Sequence, residues 1–443
     1  MMNKKDMTAL FGSAYGFNTD RRSKPVHFAT GFFVALKGNN YEQRLLNKTV
    51  AFSDGKQLQG DYALQNLHAL LTTEGKIETG IDTGRLQILR KHLRCLLDND
   101  EAVYPSYGAK AGFGCDYSGS SGDLVTRLKD NDGFSGYFVW SVLNQTDQGR
   151  EILEIATRWI EQADTSWRQV VAPLLDSQYQ EYDSQLRYES KGLGTLENRR
   201  LKRVAKAMSA QTGALLTLCT NADALSASET KLRVLIVGMC IWLFRYLVKE
   251  GIEQSDTLGM LLVDMLGESS SKMRSQSRWS FSRLREGLVQ AFTRFNDEGR
   301  FDDCKAAWKH IHDQMAGRPK FDEFFRELAL RSGLAQPRAS RVAAKHFELQ
   351  PETLRVAVLS VLAVEEGMIP ITELLERLYK TWGLCFGGRP EDAFLLEKIG
   401  YTALDQDQDL TPNTEALIAL LRDLGLVTRF SDGLIMCHAK DAL

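Results

Sequence analysis

No two of the seven cysteines stand in a C-x-x-C pair. Cys95, Cys115, Cys219, Cys240, Cys304, Cys385 and Cys437 are scattered and odd in number. This argues against a zinc ribbon or a disulfide frame and fits reduced thiols in the cytoplasm. Long apolar runs are also missing. The most apolar stretch, VLIVGMCIWLF from Val234 to Phe244, is eleven residues between Arg233 and Arg245. A bilayer span needs about 20, so this stretch reads as a helix buried on most sides. The opening MMNKKDMTALFG has two lysines but neither an apolar core nor a small-residue cleavage site. Neither a secretory signal nor a membrane role is expected.

Catalytic signatures are equally scarce. YGAKAGFG (107–114) has glycines and Lys110 but lacks the G-x-x-x-x-G-K-[ST] that cradles phosphates, so it reads as a surface loop. His310 and His312 are two apart on an expected helix, about 200° around it, and cannot share a zinc ion as a pair spaced by four can. No G-x-S-x-G occurs, and Cys115 has no evident base. Glu391, Asp392 and Glu397 suit the acidic first turn and body of a helix better than a nuclease metal site. The expectation is no catalytic residue, no metal and no cofactor.

What the chain does have is charge sorted by region. Residues 187–345 hold 27 Lys/Arg against 18 Asp/Glu, a net of +9. Residues 346–443 hold 8 against 16, a net of −8, and residues 1–186 hold 20 against 23, a net of −3. Charge segregated in this way decides which surface meets a polyanion.

At 443 residues two or three domains are expected. The pattern reads as a multidomain α+β protein, mainly helical. Residues 1–150 form a mixed α/β part, with strands expected at 24–38 and 48–55, helices at 61–75 and 84–100, and a glycine-rich loop at 104–123. Residues 151–345 form a basic helical domain, with helices expected at 149–162, 196–219, 231–251, 256–268, 280–299, 301–317 and 320–333. Residues 346–443 form an acidic unit. Its helices are expected at 351–367, 370–383 (Thr372 as N-cap) and 411–425 (Thr411 as cap), followed by a hairpin over 426–438 around Asp432-Gly433. Three helices and then a hairpin is the winged-helix order.

The stretch SSSKMRSQSRWSFSRLREGL (269–288) crowds Lys272, Arg274, Arg278, Arg283 and Arg285 around Trp279 and Phe281, with no acid before Glu286. Read as a packing element, Ser280 caps a helix that buries Phe281, Leu284, Leu288, Phe292 and Phe295. The loop before it, with Lys272, Arg274 and Arg278, is not explained by packing. Basic side chains beside an aromatic ring suit phosphate neutralisation with base stacking. A second cluster, Arg199, Arg200, Lys202, Arg203 and Lys206, lies on another expected helix, and Arg338, Arg341 and Lys345 occupy a linker. Sequence-independent contact with nucleic-acid backbone, DNA first, is the expectation. The acidic winged-helix-like unit is instead expected to dock a protein, since Glu415 and Asp423 on its third helix do not suit a groove reader.

The tail ITELLERLYKTWGLCFGGRPED…ALIALLRDLGLVTRFSDGLIMC resembles the winged-helix ends of accessory subunits in bacterial anti-phage defence and DNA-restriction systems. The resemblance covers about the last 90 residues. It implies a non-catalytic subunit working beside a separate ATPase, helicase or nuclease. The alternatives are an enzyme with a site near residues 104–122, involving Cys115 or Asp116, and a purely structural scaffold.

Overall fold

The computed structural model describes residues 15–17, 28, 32, 36, 134–159, 162, 198–223, 228–252, 259–268, 270–296, 320–337, 344–401 and 404–439. Expectations for 48–133, 301–317, Arg338 and Arg341, including Cys115, Asp116, His310 and His312, lie outside the described residues. Those that are described form a mainly helical α+β architecture with small sheets. Among them no helix is long and apolar enough to cross a membrane.

The helices are α1 (Phe134–Leu143), α2 (147–159), α3 (Asn198–Ala207), α4 (Ser209–Asp223) and α5 (Ser228–Ile252). Strand β1 (Leu261–Leu262) follows, then α6 (Lys272–Asn296) and α7 (Lys320–Arg331). The apolar run Val234–Phe244 is the middle of α5 and is buried on every side. At Gly238 a Cβ would come within 2.6 Å of a Leu218 methyl. Glycine there lets α4 lie against α5.

Three expectations are corrected. Phe28, Phe32 and Leu36, read as part of a strand, are helical. Their spacing of four puts them on one helical face, and a Cβ at Gly136 of α1 would overlap the backbone of Phe28 and Phe32. Residues 259–268, read as a helix, are extended: Leu261 and Leu262 pair in parallel with Leu384 and Cys385. A short apolar run buried all round carries no period that separates strand from helix. Finally, the helix expected from Ser280 begins at Lys272. Ser280 sits inside α6, its hydroxyl 3.4 Å from the Met260 carbonyl and 3.3 Å from the Leu262 amide.

Strands β2 (Ala335–Gln336) and β3 (His346–Phe347) pair antiparallel. The remainder runs α8 (Pro351–Leu359), β4 (Ile369–Pro370), α9 (Ile371–Trp382), β5 (Leu384–Cys385), α10 (Asp392–Lys398), a π turn (Gln406–Leu410), α11 (Thr411–Asp423), β6 (Val427–Arg429) and β7 (Ile435–Cys437). The last sheet has the order β4-β7-β6, antiparallel throughout. Neither expected cap holds, because Pro370 and Leu410 occupy the N-cap positions of α9 and α11. Gly383 ends α9 at φ +76°, where a Cβ would lie 2.7 Å from the Gly259 carbonyl.

Two buried side chains hold the excursion between α9 and α11. Arg389 (3% exposed) binds Asp392 and Glu376 and stacks on Tyr379, 3.5 Å from the ring centroid. Asn413 of α11 donates to the carbonyls of Val263 and Phe386, each at 2.9 Å, and accepts from the Met265 amide at 2.6 Å. One hydrophobic cluster extends from Tyr15 and Phe138 through Trp242 and Phe281 to Trp382, Leu417 and Cys437. The boundary read at 345/346 therefore crosses a shared core.

Candidate nucleic-acid interface

Helix α3 carries the simpler of the two basic clusters. Its sequence, NRRLKRVAKA, has no glycine or proline and is rich in good helix formers. Leu201, Val204 and Ala205 are buried, and the turn after them buries Met208. Arg199, Lys202, Arg203 and Lys206 are exposed. Steps of three and four along the helix align these cations in one stripe. Arg203 lies 3.4 Å from Glu250 but keeps 61% of its side chain exposed. Such a loose surface pair contributes little and leaves the charge available. Arg200 turns the other way, is half-buried and hydrogen-bonds Tyr246. Lys249 adds a cation at the end of α3, donating to the Ala207 carbonyl at 3.1 Å.

The α6 cluster is split. Arg274, read as a phosphate contact, is a core residue with 11% of its side chain exposed. Its Nε donates to Asp264, which is fully buried, and its Nη2 donates to Glu348 at 2.9 Å. This removes Arg274 from the interface: its guanidinium is turned into the fold and its charge is already matched by two carboxylates. Arg283 lies over Trp279, 5.0 Å from the ring centroid, and donates to the Ile399 carbonyl at 2.6 Å. Lys272 is 61% exposed and stands 3.7 Å from Asp409. Arg285 is half-buried, and so is Arg278, whose side chain makes no ion pair or hydrogen bond among the described residues. Lys345 of the linker cluster is buried and donates to the Pro337 carbonyl.

The network around Arg274 also answers whether a metal belongs there. Asp264, His346 and Glu348 bring three ligand-type atoms within 4.8 Å of one another. The Arg274 guanidinium already supplies the cation between the two carboxylates, so this is a closed ion network and not a metal centre. His346 lies with Nδ1 3.0 Å from the Ala344 carbonyl and Nε2 3.0 Å from Glu348.

The His346 hydrogen bond, aided by Arg274, holds the Glu348 carboxyl below its ordinary range against the opposing effect of burial. A depressed carboxylate stabilises the fold above its unfolded pKa of about 4.3, and that contribution disappears as pH falls through the folded value. Glu348→Gln is therefore expected to lower the thermal midpoint at neutral pH, with the gap from wild type narrowing below about pH 4. Thermal melts across a pH series measure this, and a gap independent of pH would contradict the linkage.

Cys219, Cys240, Cys385 and Cys437 are buried free thiols, and burial pushes each above its ordinary value, Cys437 to about 12. None of these four supplies a thiolate nucleophile.

Sequence reasoning missed the roles of Arg274, Arg389 and Asn413. Arg274 meets acids 10 and 74 residues away, and Asn413 reaches 150 residues back to Val263. No local spacing signals these partners of Arg274 and Asn413, whereas Arg389 pairs with Asp392 only three residues on. The α3 stripe, by contrast, was readable from the spacing of its cations alone. Compared with known protein families, curated proteins and solved structures, the chain matches none.

Proposed function

We propose that this chain is a non-catalytic subunit of a DNA-processing or anti-phage defence complex, touching nucleic-acid backbone through α3. The observation that carries the reading is the α3 stripe. Four cations share one solvent face on a helix whose opposite face is anchored in the core, with Glu250 as a loosely held counter-charge. Such a face neutralises phosphates and releases counterions without reading bases.

The C-terminal unit is proposed to be winged-helix-like and to dock a protein such as an ATPase, helicase or nuclease. The order α8, β4, α9, α11, β6, β7 and the sheet order β4-β7-β6 support that reading. Exposed Glu415, Arg422 and Asp423 on α11 suit a protein partner better than a DNA groove. Phe430 and Leu434, 44% and 49% exposed beside the hairpin turn, add apolar anchors of the kind protein interfaces use.

Fluorescence anisotropy across a salt series tests the backbone contact. Replacing Arg199, Lys202, Arg203 and Lys206 together by glutamine is expected to weaken binding alike for unrelated sequences. The slope of log affinity against log salt should become shallower by up to about 3–4, near 0.9 for each duplex phosphate released. The thermal midpoint should barely move, because these side chains face solvent. An unchanged slope would remove α3 from the interface, and no binding by the wild type at low salt would remove nucleic acid altogether.

A further inference from the structure

Five large apolar side chains are exposed among the described residues: Trp279, Met368, Phe394, Phe430 and Leu434. Four belong to the acidic C-terminal unit. Trp279 alone stands among arginines, on the solvent face of α6, and keeps 40% of its surface exposed. Tyr401 meets the indole at 86° with centroids 4.7 Å apart, and Arg283, one turn on, lies over it. Tyr401 is itself buried and Arg283 is tied to the Ile399 carbonyl. The ring is therefore held in a set orientation before any ligand arrives, which lowers the entropy lost on binding.

The charges around it point to the ligand. At about 100° per residue, Arg278 and Arg285 fall on one flank of Trp279, while Lys272 and Arg283 fall near it on the other. Arg278 is a half-buried cation whose side chain makes no ion pair or hydrogen bond among the described residues, and its Nε is buried. Nothing among the described residues satisfies that charge. Asp409 faces Lys272, whereas no carboxylate among the described residues pairs with Arg278, so an anion is better placed on the Arg278 flank.

We infer that Trp279 is a stacking platform for one unpaired base of a single-stranded nucleic acid, with the adjoining phosphate beside Arg278. This rests on the backbone-binding reading above and adds the class of strand. Bases in a duplex are stacked on each other and cannot present a face to an indole, whereas an unpaired base of any identity can.

The test uses the full chain with an oligothymidylate, an abasic strand of equal length and a duplex of equal length. Trp279→Leu keeps an apolar side chain but removes the π face, and Trp279→Phe keeps both. The wild type is expected to prefer the oligothymidylate to the duplex. Trp279→Leu should bind the oligothymidylate roughly 5- to 150-fold more weakly, bind the abasic strand as the wild type does, and leave Trp279→Phe close to the wild type. Unchanged oligothymidylate binding by Trp279→Leu would overturn the stacking role. So would an equal loss on the abasic strand, which would mean that the ring acts through the fold. In either case the α3 glutamine variant still decides the backbone reading by its salt slope. If the wild type binds none of the three at low salt, both readings fall together.

Discussion

Arg274→Ala is expected to destabilise the protein by roughly 3–5 kcal/mol, the typical effect of removing one partner from a buried ion pair. Asp264 has no exposed surface and accepts from Arg274 Nε, while Glu348 accepts from Arg274 Nη2. Without the guanidinium, a carboxylate stays charged in a medium that solvates it poorly, or takes up a proton at a cost. Adding Asp264→Asn to Arg274→Ala should recover part of the loss, because the amide carries no charge and still accepts the Leu266 amide bond made at 3.0 Å. Urea unfolding of the two single variants and the double variant measures this. A double variant no more stable than Arg274→Ala would place the loss in packing.

This outcome also governs how binding data on the α6 cluster are read. Charge removal at Arg274 is expected to abolish nucleic-acid binding by loosening the fold. Glutamines on α3 are expected to weaken it with the fold intact. Affinity measured alone would score the two alike, so stability has to be measured with it.

The second large effect is at Asn413. Asn413→Leu is close to volume-conserving, yet it removes both donations and the one acceptance the side chain makes. The Val263 carbonyl and the Met265 amide are freed around a residue with no exposed surface, while the Phe386 carbonyl keeps the Thr414 hydroxyl at 3.4 Å. At about 1–3 kcal/mol for each of the two buried groups left unpaired, a loss of at least about 2 kcal/mol is expected. Asn413→Asp keeps the acceptance from Met265 but sets a buried carboxylate oxygen against the two carbonyls, so its overall loss is expected to be at least as large. Hydrogen exchange at Met265 gives a local readout: its amide should lose protection in Asn413→Leu and keep it in Asn413→Asp. Equal protection in both would show that another acceptor had replaced Asn413.

The sequence by itself determined what depends on near neighbours along the chain. Helices α3, α5, α7, α9 and α11 follow from apolar residues at helical spacing, and the hairpin of β6 and β7 follows from alternation around Asp432-Gly433. The α3 stripe follows from cations three and four apart on a helix whose other face is apolar. Burial of Val234–Phe244 follows from its lack of polar residues. Each of these is a local period, and local periods survive in a linear reading.

Only the tertiary structure decided the rest, because the deciding partners are far apart in sequence. Met260–Val263 became extended through pairing with β5, more than a hundred residues on. Ser277 and Ser280, which look like cap or loop residues, turn inward to hydrogen-bond the backbone of Phe347, Met260 and Leu262. Of five cations that read alike in one basic run, one was drawn into the core by two distant acids, one was laid over an indole, and Arg278 was left without a partner among the described residues. A basic residue carries the same charge wherever it stands. Its role depends on which carboxylates the fold brings within reach, and that is a property of the packed chain.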